Sequence, residues 1–300
     1  MLRPLILPAL SLSIGPALSL SIGLALAALP ALAADNALRD QVTELFKQRQ
    51  WAEAQTLLEK VTATEPGNAE AWSSLGQVHL ARGDFEKAVS ALEKATVTDP
   101  AKSLYFLLLG NAYGASAQKA GLFSKFGLAK KCKAAYEKAV ALDPRSIDAR
   151  WSVMEYCRQA PGIAGGGMDQ AYAQAAEIRK LDPRRGRSAY SSLYVTDKKY
   201  AEAFALYDEI LREKPKDGDA LFNVGRIAAR SGEQLDRGLA ALRQHLTLEG
   251  GTTARIHTLI GSILEKKGDQ PGAKAAYEAA LALDPKFTQA IELLRKLNSG

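Results

Sequence analysis

The sequence predicts an all-α protein built from repeated helix–turn–helix units. Two segments align without a gap, residues 69–100 and residues 254–285, and each runs for 32 residues. Alanine, leucine and lysine are plentiful while aromatic residues make up 7% of the chain, a bias that favours helix. Self-similarity at a fixed period is typical of a solenoid, in which each unit packs only on its neighbours.

Small residues recur in these segments where two helices must approach each other. In the first segment they are Gly76, Ala88 and Ala95, and glycine or alanine stands at the same three places of the second segment. An aspartate, Asp84 in the first segment, precedes the second helix and is predicted to cap it. Pro100 closes the segment, since proline cannot continue a helix. Each segment is therefore predicted to be one pair of closely packed helices.

The pattern resembles the tetratricopeptide repeat (TPR), a 34-residue helix–turn–helix unit. Trp72, Leu75 and Gly76 match the W-x2-L-G opening of that repeat, and Tyr277 matches its aromatic position. The resemblance implies a solenoid of about seven repeats that forms a right-handed superhelix, with a C-terminal capping helix. The predicted repeats cover residues 35–68, 69–102, 103–146, 147–183, 184–217, 218–251 and 254–286, and the capping helix covers residues 287–298.

The third repeat carries about ten extra residues. Pro100 and Pro144 stand 44 residues apart, and the surplus falls within a stretch that contains Leu122, Phe123 and Phe126. One alternative is that these residues lengthen both helices and bury one another. The other is that they form an exposed apolar tip that contacts a partner or a membrane surface.

The fourth repeat carries about five extra residues, which coincide with the glycine-rich stretch APGIAGGG at residues 160–167. A glycine-rich loop before a helix is also typical of phosphate binding, but that site needs a lysine and a hydroxyl residue. Here Met168 and Asp169 follow the glycines. The stretch is therefore predicted to be a lengthened turn in which Pro161 ends the first helix, the alternative being a loop that contacts a partner.

Residues 1–33 are predicted to be a signal peptide, and their composition differs from the rest of the chain. Arg3 is the only charged residue among the first 34, and an apolar run follows it at residues 5–29. Ala31 and Ala33 form the small-x-small pattern of a cleavage site, which places cleavage near Ala33. A periplasmic location follows. The alternative is that residues 5–29 remain as an inner-membrane anchor.

No motif for catalysis, for a metal ion or for another cofactor occurs in the sequence. The three histidines fall on repeat positions, and neither H-x-x-x-H, C-x-x-C nor G-x-S-x-G is present. The net charge of +6 comes without long lysine or arginine runs, which argues against a nucleic-acid partner. For Cys132 and Cys157 two alternatives stay open in an exported protein, a disulfide or two buried thiols.

The TPR resemblance also implies a concave groove that binds a peptide or protein segment through fixed positions on the first helix of each repeat. In this chain those positions are Arg39, Ser73, Gln77, Asn111, Trp151, Glu155, Arg158, Arg185, Ser188, Phe222, Arg226 and Arg255. The arginines favour a partner with carboxylates, which guanidinium groups bind bidentately. The predicted function is a non-enzymatic periplasmic scaffold or adaptor. The alternative is an inner-membrane-anchored accessory subunit of a multiprotein envelope machine for secretion, transport or cell-envelope assembly.

Overall fold

The computed structural model describes residues 37–299. Within that range the chain forms fifteen α-helices and no strand, which confirms the all-α prediction. The predicted signal peptide of residues 1–33 and the alternative anchor at residues 5–29 lie outside the described residues. None of the helices that the structure describes is both long enough and apolar enough to span a membrane.

The helices belong to two compact units that divide after Pro100. The first unit contains α1 at residues 37–47, α2 at Trp51–Thr64, α3 at Ala69–Arg82 and α4 at Phe85–Thr98. Consecutive helices pack as pairs, α3 against α4 most extensively. Its core includes Val42, Leu58 and Val78, which come from α1, α2 and α3.

The second unit holds the remaining eleven helices of the described chain. They are α5 at Ser103–Lys119, α6 at Leu122–Leu142, α7 at Ile147–Gln159, α8 at Met168–Leu181, α9 at Pro183–Thr196, α10 at Tyr200–Glu213, α11 at Gly218–Ser231, α12 at Leu235–Leu246, α13 at Ala254–Lys266, α14 at Gln270–Leu283 and α15 at Thr288–Ser299. A 3₁₀ turn at Gly162–Ala164 joins α7 to α8. Odd-numbered helices from α5 to α13 are the first helices of their repeats, and α7, α9, α11 and α13 pack on one another in that order.

In four of the pairs a glycine of the first helix faces a large side chain of the second. The contacts are Gly76 with Leu92, Gly110 with Tyr136, Gly225 with Leu242 and Gly261 with Tyr277. A methyl group at any of these glycines would overlap the opposite side chain. Ala88 and Ala95, the other small positions of the second repeat, are fully buried. The structure therefore confirms that small residues permit the close approach of the two helices.

The aspartate before the second helix acts as a cap in the last repeat but not in the second. The Asp269 carboxylate accepts a hydrogen bond from the Gly272 backbone N–H at 2.9 Å. The Asp84 side chain makes no capping hydrogen bond. Its carboxylate lies instead 3.7 Å from His79 Nδ1 and 3.8 Å from Arg82 Nε. The capping prediction is thus wrong for Asp84, because its carboxylate turns toward the preceding helix.

Pro183 departs from the predicted role of the repeat prolines. Pro100 follows the end of α4 by two residues, as predicted, whereas Pro183 is the first residue of α9. Proline suits the first turn of a helix because that position needs no N–H donor. The preceding Asp182 carboxylate accepts hydrogen bonds from the backbone N–H groups of Arg184 at 2.8 Å and Arg185 at 3.0 Å. This proline therefore opens a helix, although it was predicted to close the fourth repeat as Pro100 closes the second.

We expect Gly225→Ala to lower the free energy of unfolding by about 1–3 kcal/mol, because the new methyl group would overlap the buried Leu242 side chain. Gly127→Ala is the matched control, since no atom lies within 4 Å of the added Cβ at that helical position. Alanine there is expected to raise stability by roughly 0.5–1 kcal/mol. Urea unfolding followed by circular dichroism measures both, and an unchanged midpoint for Gly225→Ala would contradict the packing argument.

Candidate interaction surfaces

In the first unit, the predicted groove residues lie beside a cleft of about 760 Å³ between α1 and α3. Arg39 and Gln77 both line this cleft. The Arg39 guanidinium donates to the Glu70 carboxylate at 2.7 Å and 2.6 Å, so that this charge is already paired. Ser73 is 2% exposed, and its side chain is therefore not available to a partner.

In the second unit, the groove residues of α5, α7 and α9 are mostly engaged within the chain. Asn111 accepts a hydrogen bond from the Tyr136 hydroxyl at 2.8 Å. Glu155 Oε2 pairs with Arg158 Nη2 at 2.5 Å. The Ser188 hydroxyl is exposed and donates to a backbone carbonyl one helical turn earlier at 3.4 Å. These contacts hold Asn111, Glu155 and Arg158 within the chain and pair the charges of Glu155 and Arg158 with each other.

Arg185 connects α9 to α7. One of its nitrogens lies 2.8 Å from the Asp148 carboxylate, and its guanidinium carbon lies 5.7 Å from the centre of the Trp151 ring. Trp151 is partly exposed, so one part of its ring stays accessible beside this ion pair. The Arg185 charge is therefore paired, like those of Arg39 and Arg158.

Arg226 and Arg255 differ from the other predicted arginines because neither makes an ion pair with a described residue. Arg226 Nη2 donates to Ser191 Oγ and to Asn223 Oδ1, both at 3.0 Å. The Arg255 guanidinium carbon lies 5.0 Å from the centre of the Phe222 ring. Neutral partners thus orient both cations on neighbouring first helices, α11 and α13, without neutralising either.

Arg226 and Arg255 form an arginine cluster with Arg230, which was not among the predicted groove residues, and Tyr207 lies beside it. Burial lowers the pKa of Arg226, and the positive charges of Arg255 and Arg230 lower it further. The buried Tyr207 hydroxyl lies close enough to raise the pKa of Arg226, although it makes no hydrogen bond of good geometry. Arg230 follows Arg226 by four residues, a spacing that places both on one helix face and was visible in the sequence.

A second feature of this unit is a cleft of about 950 Å³ between α5, α6 and α7. Both lengthened repeats border it. Lys125, Phe126 and Ala129 come from the extended α6, whereas Pro161 and Ala164 come from the turn after α7. The floor includes Trp151, Glu155 and Cys132, so that two predicted groove residues belong to this cleft. Nothing in the sequence indicates that the extra residues of the third and fourth repeats are neighbours, and in the structure both line this cleft.

The extra residues of the third repeat lengthen both of its helices, α5 to 17 residues and α6 to 21. This confirms the lengthening, but not the mutual burial, because the Phe126 side chain is 43% exposed. The backbone of Leu122 and Phe123 begins α6, and their side chains lie outside what the structure describes. Phe126 is therefore exposed, and its contact with a partner or a membrane surface stays a prediction.

The glycine-rich stretch is a lengthened turn, as predicted, and its own chain holds it in place. The Tyr156 hydroxyl donates to the Ala164 carbonyl at 2.7 Å, and the Gly167 N–H donates to the Cys157 carbonyl at 2.8 Å. Gly165 adopts a φ of 81°, a conformation that favours glycine. At Gly166 a side chain would overlap the backbone of Ala160. The glycines thus serve the turn geometry.

Both cysteines are free and buried in the structure, which gives the disulfide alternative no support. Burial raises the pKa of Cys132 to about 11 and also raises the pKa of Cys157. The Cys157 thiol lies 3.7 Å from Gln170 Oε1. Among the described residues, no cluster of three or more His, Cys, Asp and Glu side chains could hold a metal ion.

Two tetratricopeptide repeat models match the sequence. One matches residues 39–103 and 191–248, the other matches residues 254–287, and together they cover just over half of the chain. The chain belongs to the tetratricopeptide repeat family. Its fold is therefore the all-α TPR fold that the sequence predicted, and proteins of this family act as protein-interaction scaffolds.

Solved TPR structures share this fold at low sequence identity. A tetratricopeptide repeat protein from Parabacteroides merdae ATCC 43184 superposes with a TM-score of 0.64 at 17% identity, covering 88% of this chain and 98% of that chain. Yeast Tom70 superposes with a TM-score of 0.60 at 16% identity, covering 83% of this chain and 51% of that chain. At these identities the likeness shows the fold alone.

A relative with higher sequence identity is much longer than this TPR protein. Cellulose synthase operon protein C of Pseudomonas fluorescens (strain SBW25) is 27% identical over 143 residues. The match covers 45% of this chain and 11% of that protein. The two proteins therefore share a stretch of sequence that is a small part of the relative.

We expect both thiols of the native protein to react slowly with Ellman's reagent at pH 8, because burial keeps Cys132 and Cys157 protonated. After denaturation without reductant both thiols should react at the rate of free cysteine. Cys157→Ser should then halve the number of reactive thiols. If no thiol reacts in the denatured, unreduced protein, the two cysteines form a disulfide and the free-thiol arrangement is wrong.

Proposed function

We propose that this TPR protein is an exported, non-enzymatic scaffold that binds an acidic segment of another protein across α11 and α13. Membership of the TPR family supports a protein partner. The observation that carries the acidic partner is the arginine cluster of Arg226, Arg230 and Arg255, which makes no ion pair with any described residue.

The environment of Arg226 favours a carboxylate ligand. A partly buried guanidinium loses hydration, and hydrogen bonds to Ser191 and Asn223 replace that loss without supplying a negative charge. A carboxylate from a partner would supply the charge and could bind two N–H groups at once. Arg255 of α13 lies over the ring of Phe222, which is on α11 together with Arg226. This contact holds the charge of Arg255 close to that of Arg226. The cluster is thus preorganised for an anionic group.

The paired arginines support the same assignment by contrast. Arg39, Arg158 and Arg185 each lie within 2.8 Å of a carboxylate of this chain. A partner carboxylate would have to displace these intramolecular partners, which offsets most of the gain. Binding of an acidic segment should therefore depend on the cluster at α11 and α13.

Export is proposed from the sequence of residues 1–33, with cleavage near Ala33. The second candidate, an inner-membrane-anchored accessory subunit of a multiprotein envelope machine, is favoured by the length of the apolar run at residues 5–29, which is sufficient to cross a bilayer. N-terminal sequencing of the protein recovered from cells separates the two. A chain that begins at Ala34 or Asp35 is cleaved, and one that begins at Met1 keeps its anchor.

The binding proposal predicts a charge-specific loss of affinity. We expect fluorescein-labelled peptides rich in Asp and Glu to bind the protein in anisotropy titrations, and peptides with Asn and Gln at the same places to bind at least about tenfold more weakly, a difference of ~1.4 kcal/mol. Arg255→Glu, alone or together with Arg226→Gln, should weaken the acidic peptide by a similar factor. Added salt should weaken it as well.

Arg243→Glu is the control for this experiment, because Arg243 is exposed on α12, a second helix, and makes no ion pair with a described residue. It changes the net charge of the protein by the same amount as Arg255→Glu. If Arg243→Glu weakens the acidic peptide as much as Arg255→Glu does, the binding reflects overall charge and the cluster is not its site. Circular dichroism of each variant confirms that the fold is retained.

A further inference from the structure

The cleft between α5, α6 and α7 has the shape of a pocket for a side chain. Three helices and the turn after α7 enclose a volume of about 950 Å³, which is within the range of pockets that hold small ligands or anchoring side chains. Trp151, Tyr136 and Ala117 contribute apolar surface to it. Phe126 also lines the cleft, and its side chain is 43% exposed.

Positive charge is concentrated on α5 and α6 beside this cleft, whereas Glu155, the acidic residue among its lining residues, is paired with Arg158. Residues 101–136 contain no Asp or Glu, and they contain the six lysines Lys102, Lys119, Lys125, Lys130, Lys131 and Lys133. Lys133 pairs with Glu137 at 2.5 Å, and the Lys131 ammonium lies 5.4 Å from the centre of the Tyr113 ring. Lys125 lines the cleft, and Lys130 lies beside the turn after α7. Neither of these two makes an ion pair with a described residue.

We propose that this cleft is a second docking site, which takes a large apolar side chain, such as that of phenylalanine, from a partner segment whose flanking residues are acidic. The apolar floor would hold the side chain, and Lys125 and Lys130 would pair with the flanking carboxylates. The site is separate from the arginine cluster and uses different residues. A concave pocket suits an inserted side chain, whereas a surface that enters a membrane presents its apolar residues on a convex tip.

The position of Trp151 provides a direct readout. It lies in the cleft and is the only tryptophan of residues 101–300, the other two being Trp51 and Trp72. In a Trp51→Phe, Trp72→Phe background, tryptophan fluorescence reports the surroundings of Trp151 alone. We expect an acidic peptide with a central Phe to change this fluorescence saturably. The same peptide with Ala in that place should bind at least about tenfold more weakly, since it buries far less apolar surface.

Two variants locate this effect. Phe126→Asp places a charge on the exposed rim and should weaken the Phe peptide to the level of the Ala peptide. Leu283→Asp is the matched control, because Leu283 is 51% exposed on α14, and it should leave both peptides unchanged. Equal affinity for the Phe and Ala peptides, or binding without a change in Trp151 fluorescence, would overturn the inference. Sedimentation with phosphatidylglycerol vesicles that depends on Phe126, without peptide binding, would also overturn it and assign the cleft to a membrane surface.

The same peptides distinguish this inference from the proposed function. The arginine cluster requires only acidic residues, so Arg226→Gln with Arg255→Glu should not abolish the difference between the Phe and Ala peptides. If acidic peptides bind through Arg255 without any preference for Phe, the proposed function stands and the cleft inference fails. If the Phe preference persists while Arg255→Glu has no effect on any peptide, the cleft is supported and the arginine assignment fails.

Discussion

The contact between a glycine of one helix and a large side chain of the next determines how closely the helices of a repeat can pack. Gly76 against Leu92 and Gly225 against Leu242 are two examples, and a single methyl group would occupy the space of the opposite side chain in each. This contact keeps the second helix close to one face of the first helix. The opposite face of the first helix is then available for contacts with neighbouring repeats and with partners. The arginine cluster depends on this arrangement, since it joins side chains from α11 and α13.

The repeat period explains which parts of the fold were predictable from sequence. Helix pairs, glycine positions and the lengthened turn at residues 160–167 follow from local patterns that recur or depart from the template. The roles of Asp84 and Pro183 were not predictable in this way, because each residue can serve in two places. The Asp84 carboxylate can cap the second helix or lie beside His79 and Arg82, and it does the latter. A proline can follow one helix or begin the next, and Pro183 begins a helix that Asp182 caps. The repeat template says nothing of such choices.

The candidate sites were less predictable, because the sequence places an arginine on a face without saying what lies opposite. The intramolecular partners stand about one repeat away: Glu70 is 31 residues from Arg39, and Ser191 is 35 residues from Arg226. A search for acidic residues one repeat length away would have identified Arg39 as paired. It would also have identified Arg226 as a residue whose counterpart, Ser191, carries no charge.

The same geometry explains why two unrelated insertions border one cleft. The turns between first and second helices lie at the same end of neighbouring repeats, so extra residues at the α5–α6 turn and the α7–α8 turn must meet. The six lysines of residues 101–136, without an acidic residue among them, concentrate positive charge on α5 and α6, and one of them, Lys133, pairs with Glu137. An excess of positive charge therefore lies beside the cleft, in addition to the unpaired arginines of α11 and α13, and an acidic segment would neutralise it.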